Sequence, residues 1–250
     1  MRKFLALFVL LCFAGSLSPA QEEPIPPRRG KAPKMGLFGA FMPGYLDMDL
    51  APVNEFITAG GGAAFGDKGV WMLGGGGSIY IMVLKNFRIG GMGMGGSVSS
   101  SSIDLYGVRR DADLSLSFGG LTIEYVVPIT EKLDFAVGAM VGGGGMHLQL
   151  QQMTGRTNTW TEERDLFGTW PPSGVPNITR TLDGSFFVLT PAAHIEYAIL
   201  GWLGVRASLS HTFMMFPSWQ VDSSYDLLNV PSKVKGNGLL FSLGIMVGTF

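Results

Sequence analysis

Residues 114–150 read LSLSFGGLTIEYVVPITEKLDFAVGAMVGGGGMHLQL, and the architecture follows from how this stretch is parsed. Leu121, Ile123, Tyr125 and Val127 alternate with Thr122 and Glu124. A period of two puts each set on its own face of a strand. Pro128-Ile129-Thr130-Glu131 interrupts the pattern and Leu133 resumes it. The stretch therefore predicts an antiparallel hairpin: Leu114 to Val127, a tight turn, and a return from Leu133 towards Leu150.

The same design recurs on both sides. One hairpin runs from Val70 to Val83, turns near Leu84-Lys85-Asn86 and returns from Phe87 to Val98. Another runs from Phe186 to Ala198, turns near Ile199-Leu200-Gly201 and returns from Leu203 to Met215. A single strand precedes the three pairs (Gly36 to Asp47) and another follows them (Gly238 to Phe250). That makes eight strands, about the smallest number that closes a membrane barrel.

Connection lengths alternate as well. Short turns fall at Lys85, Ile129 and Leu200, while long segments cover Met48 to Gly69, Ser99 to Asp113, Gln151 to Asp183 and Phe216 to Asn237. Barrels of the outer membrane sort their connections this way, with short periplasmic turns and long external loops. Alternation persists in the third hairpin. Ala193, Ile195 and Tyr197 oppose His194 and Glu196, and Leu203, Val205, Ala207 and Leu209 oppose Gly204, Arg206, Ser208 and Ser210. Apolar-out and polar-in suits a barrel in lipid, and the inverse suits a soluble barrel. Phe87, Tyr125, Phe135 and Tyr197 gather beside the short turns on the apolar face, as an interfacial girdle does.

Composition agrees. Of 250 residues, 15% are charged and 37 are glycine, against about a quarter charged in an ordinary soluble domain. Mean hydropathy is positive, yet no long apolar run follows the N-terminus, so the apolar content is dispersed in short strands. The net charge of −1 implies no nucleic-acid partner. Residues 1–20 read as a secretory signal: Arg2 and Lys3, an apolar run from Phe4 to Ala14, and Ser18-Pro19-Ala20 for cleavage. The bulky Leu11 before Cys12 disfavours a lipoprotein site. With the leader removed, no cysteine remains for disulfides. Residues 21–35, rich in proline and basic side chains, are an extended periplasmic lead-in. The barrel domain is expected over residues 36–250.

The signal at Met1 to Ala20, the eight strands, the sorted connections and Phe250 resemble the small OmpA- and OmpX-like outer-membrane barrels of Gram-negative bacteria. The resemblance implies an exported outer-membrane protein. Its surroundings would be outer-membrane lipids and lipopolysaccharide, and the barrel assembly machinery would read the C-terminal Phe250. Phe241, Leu243, Ile245 and Val247 alternate as that signal asks, but Phe250 shares the face of Met246 and Gly248.

Few motifs suggest chemistry. Gly91 to Gly96 satisfies GxGxxG, but Ser97 to Ser102 cannot open the helix that a dinucleotide site needs. Glycines in strands more simply permit bends and close approach. A hydrolase on the barrel surface would need serine, histidine and carboxylate on one face. Ser208 and Ser210 face inward while His211 faces outward, and no carboxylate lies nearby on that strand. No cluster has metal-ligand spacing. No catalytic residue and no cofactor are expected.

The interior charges Arg88, Glu124, Glu196 and Arg206 carry the sharper signal. Each lies on a polar face near a short turn. Glu196 and Arg206 flank one turn, and Arg88 and Glu124 lie on consecutive strands at similar height. They are expected to form a salt-bridge network that plugs the lumen, since a lone buried ion costs several kcal/mol, roughly, with a proton or ion path as the alternative. Pro52 to Ala59, stopped by Gly60, reads as a short helix. Trp160 and Trp170 in the longest connection are candidate contacts for a surface partner or for lipopolysaccharide. The sequence thus points to a non-enzymatic scaffold or surface-interaction barrel. A soluble periplasmic barrel binding a small apolar ligand is the alternative, and a lipid-modifying hydrolase is disfavoured.

Overall fold

The computed structural model describes residues 36–66, 68–81, 83–154, 177–231, 233–234 and 236–249. In chain order the elements are β1 (Leu37–Phe41), β2 (Gly44–Met48), α1 (Ala51–Ala59), β3 (Gly69–Tyr80), β4 (Phe87–Ile103), β5 (Val108–Pro128), β6 (Leu133–Thr154), β7 (Ile178–Ala198), β8 (Leu203–Val221), β9 (Tyr225–Asp226) and β10 (Gly238–Gly248). From β3 to β8 each strand pairs antiparallel with its successor. β10 pairs with β8 on one edge and with β1 and β2 on the other, and both of these also pair with β3, so the sheet closes. The short β9 only extends the rim beside β8.

The expected single strand from Gly36 to Asp47 is present in two pieces. Phe41 faces Gly75 and Gly44 faces Met72 on β3, while the same two residues face Ile245 and Ser242 on β10. Both offsets are constant, so β1 and β2 are one strand of an eight-strand ring. The break falls at Met42-Pro43 because proline has no N–H to donate. Pro43 still accepts the Leu243 N–H at 3.1 Å, and Met42 donates to the Gly74 carbonyl at 2.8 Å.

The short turns occupy the predicted places, but the opposite end differs from expectation. Residues Ser99 to Asp113, expected as a loop, are mostly strand. Ser99 pairs with Asp113 and Ile103 with Arg109, which leaves only the turn Asp104–Gly107. β6, β7 and β8 likewise run beyond Leu150, before Phe186 and past Met215. Those of β4 and β5 are mostly polar on both faces, and those of β7 and β8 mix polar residues with Leu182, Phe216, Trp219 and Val221 without a clean period of two, so alternation could not reveal them. Their backbones pair all the same, because each extension finds an extended neighbour.

Leu121, Ile123, Tyr125, Val127, Ile195, Tyr197 and the alternating residues of β10 are exposed, while Thr122, Glu124, Val126, His194 and Glu196 are buried. The apolar set therefore points outward. Phe87 and Tyr125 are register partners with rings 5.1 Å apart. Tyr45 and Trp71 form a second aromatic pair towards the other end, centroids 5.3 Å apart. The buried charges among the described residues lie only near the short turns, and higher up the buried polar side chains are isolated hydroxyls such as Ser210 and Thr212. Above the charged level Leu46, Met72, Met94, Leu116, Met140 and Met214 belong to one buried cluster, so the expectation of a polar interior holds for part of the height only. Helix α1 closes this cluster from above with Val53 and Ile57. Asn54 pins the following chain: its Oδ1 accepts the Phe65 N–H at 2.8 Å.

Candidate functional site

Among the described residues, the ionised side chains of the lumen form the densest polar cluster of the interior. Arg88 on β4, Glu124 on β5, Glu196 on β7 and Arg206 on β8 are all buried, with Arg88 only 1% exposed. The inward faces of four strands bring them to one level. Arg88 lies opposite Glu124 in register, and Glu196 opposite Arg206. Arg88 Nε donates to Glu124 Oε2, and the rest of its fork crosses the lumen to Glu196, Nη1 to Oε2 at 2.9 Å and Nη2 to Oε1. Arg206 Nη2 crosses in turn to Glu124 Oε1, whereas its Nη1 stands 3.5 Å from Glu196 Oε1. The closest partner of Arg206 is thus the carboxylate across the barrel, not the one on its own hairpin. Two cations and two carboxylates balance, which is what burial of charge requires. The Arg88 guanidinium also sits 5.0 Å from the centre of the Phe38 ring, a favourable cation–π placement.

His194 completes the group, and sequence reasoning did not place it there. Its Nδ1 lies 2.8 Å from Ser208 Oγ and its Nε2 3.3 Å from Glu124 Oε1. The available signal was its face, shared with Glu196 two residues on. Serine, histidine and carboxylate do therefore line up, with Ser208 in the serine position. The surroundings argue against hydrolysis. Glu124 is already held by two guanidiniums, and the adjoining cavity measures about 30 Å³. That volume holds one or two waters and no ester. Ser78 Oγ and Thr190 Oγ1 are buried without hydrogen-bond partners among the described residues and border the same space. Such hydroxyls suit ordered water.

The other sequence candidates do not assemble. Gly91 to Gly96 lies inside β4, and the element that follows is another strand rather than a helix. His211 faces outward, stacked on Phe213 at 4.4 Å. His147, also outward, has its Nδ1 2.6 Å from Asp183 Oδ1. Trp160, Trp170 and Phe250 lie outside the described residues, and so do the expected signal and lead-in. Among the described residues no group of histidine, cysteine, aspartate and glutamate could hold a metal ion. No helix among them is long and apolar enough to cross a membrane, which leaves crossing by strands untouched.

No protein-family model and no curated protein matches the chain. Several solved structures do. Ail, the attachment invasion locus protein of Yersinia pestis, is 10% identical over 87% of this chain and 99% of its own, with a TM-score of 0.39. A major outer membrane protein from Thermus thermophilus is 9% identical over 85% of this chain and 99% of its own, with a TM-score of 0.44. Neisserial surface protein A is 7% identical, covering 86% and 97%, with a TM-score of 0.38. These are small outer-membrane β-barrels. The closed ring and its register establish the fold of this chain by themselves.

Proposed function

We propose that this protein is an outer-membrane barrel that conducts nothing and catalyses nothing, a scaffold that presents its long-connection end at the cell surface. The carrying observation is the outward apolar belt. On β7 it runs from Phe187 to Tyr197. Ten residues at about 3.3 Å each, tilted about 40°, span about 25 Å. That is the apolar height of a barrel in lipid. In water the same belt would be an exposed patch far above the few hundred Å² that soluble monomers tolerate, which speaks against the soluble ligand-binding reading. Above the belt the outward residues become Ser115, Asp113, Asp111, His147 and Asp183, polar groups that mark where the apolar belt ends. The charge network and the methionine-rich layer above it fill the lumen and support a closed pore. Export by the signal, reading of Phe250 by the assembly machinery and a surface partner at the loops belong to the same proposal.

Gel mobility tests it. A closed barrel pairs its backbone groups internally and has no free edge, so the purified chain should run differently before and after boiling and should stay with membranes through a carbonate wash. Identical mobility together with release by carbonate would overturn the membrane reading.

A further inference from the structure

The long-connection end of the barrel holds two adjoining cavities, of about 240 and 390 Å³, that the lumen plug does not explain. Strand register orders their shared wall into three rows across β5, β6 and β7. The deepest row is Leu114, Leu148 and Leu182; the next is Ala112, Leu150 and Arg180; the outermost is Arg110, Gln152 and Ile178. The deepest row lines the smaller cavity together with Trp219 and Val53, and the two upper rows line the larger. Phe56 of α1, 53% exposed, borders both. The wall therefore passes from wholly apolar to polar along the direction of exit, where Arg110 and Arg180 stand with Asp111 and Gln152.

The two arginines are held in place. Arg110 Nη1 donates to Asp104 Oδ2 at 2.9 Å, and Arg180 Nη1 to Asp222 Oδ2 at 2.5 Å. Arg110 Nε is buried without a hydrogen-bond partner among the described residues. The guanidinium lies against Gly61, where a Cβ would stand 3.6 Å from its central carbon. A guanidinium offers donors only, so the group that completes it must be an acceptor, and a carboxylate satisfies the fork best. Below it the leucine-lined slot is poor ground for water, and open apolar cavities of this kind take apolar ligands.

We propose that this mouth binds an amphipathic carboxylate, an unbranched acyl chain whose tail occupies the Leu114–Leu148–Leu182 slot and whose head meets Arg110 and Arg180. Each arginine already faces an aspartate. The head is therefore recognised by unused donors on a fixed fork rather than by net positive charge. The site goes beyond the scaffold reading and does not depend on which side of a membrane the mouth faces.

Dodecanoate and dodecanol, each titrated against a fluorescent fatty-acid probe on the full chain in lipid nanodiscs, test it, with empty nanodiscs as background. Were the chain soluble, the same titration would run in buffer, so the two readings fail separately. Saturable one-to-one displacement by dodecanoate is expected. Leu148→Trp, which fills the slot, should abolish it. Arg110→Gln should weaken dodecanoate roughly tenfold while moving dodecanol less than about twofold. Heat-modifiable mobility confirms that each variant is folded, and Leu182→Phe replaces Leu148→Trp if the latter is not. Absence of saturable binding above empty nanodiscs, or binding unchanged in the filled-slot variant, overturns the proposal. Equal weakening of acid and alcohol by Arg110→Gln overturns the head-group assignment and the proposal with it.

Discussion

Arg206 separates what a residue's face reveals from what its reach reveals. Alternation put it inside the barrel, and its hairpin position put it opposite Glu196. Its guanidinium nevertheless crosses to Glu124, because a narrow ring brings non-neighbouring strands within the reach of long side chains. Faces are legible in a sequence, whereas cross-lumen contacts depend on ring diameter and strand tilt. The same limit hid the role of His194. Removing one partner of a buried ion group leaves a charge uncompensated, at about 3–5 kcal/mol. Arg206→Ala should therefore destabilise the barrel more than Arg206→Ala combined with Glu124→Gln, as measured by urea unfolding in lipid. Additive losses in the double-mutant cycle would mean that the two side chains do not interact.

At the scale of elements, the strands between Gly69 and Thr154 show what the glycines are for. Gly142 faces inward on β6, and a Cβ there would overlap the Gly119 carbonyl oxygen. Gly93 faces outward on β4, and its Cβ would stand 3.7 Å from the Phe118 oxygen, an ordinary contact. Gly142→Val should thus prevent or strongly impair refolding, through strain of roughly 1–3 kcal/mol or more, while Gly93→Ala should refold as the parent does. Equal refolding yields would contradict this account of the tight curvature. The turn Asp104–Gly107 is a second local device. Gly107 has φ +72°, and the Asp104 carboxylate accepts the Val108 N–H at 3.0 Å and the Tyr106 N–H at 2.9 Å. The Val108 bond, followed by Arg110, holds the Asp104 carboxyl below the usual carboxylate range. The clasp is therefore complete above that range and is lost as pH falls through the lowered value. The protection factor of the Val108 amide, its exchange relative to the intrinsic rate at each pH, should fall on acidification in the parent and be low at every pH in Asp104→Ala. The positions of the short turns could be read from proline, glycine and asparagine in the sequence. The tall polar extensions could not, because Ser99 to Ser102 look like a loop until Asp113 to Arg110 are seen to pair with them.

For the molecule as a whole, eight strands and a two-faced sheet followed from alternation and turn spacing, the sorted connections favoured the apolar face outward, and the register came only with the structure. So did the division of the lumen into a charged level and a methionine-rich level. Methionine and leucine on an inward face look the same in sequence as they would on a face turned to lipid. On the proposed reading the ring spans the outer membrane with its two ends in different compartments. Tyr106, 92% exposed, lies in the turn between β4 and β5, and Asn86 lies in a short turn at the opposite end of β4. The only cysteine is Cys12, within the expected leader, so a thiol placed at either position would have no competitor in the exported chain. Labelling with a membrane-impermeant maleimide tests the claim most directly. Tyr106→Cys should react on intact cells, and Asn86→Cys only after the outer membrane has been opened. Equal labelling of both on intact cells, protection of both, or reaction at Asn86→Cys alone would contradict it.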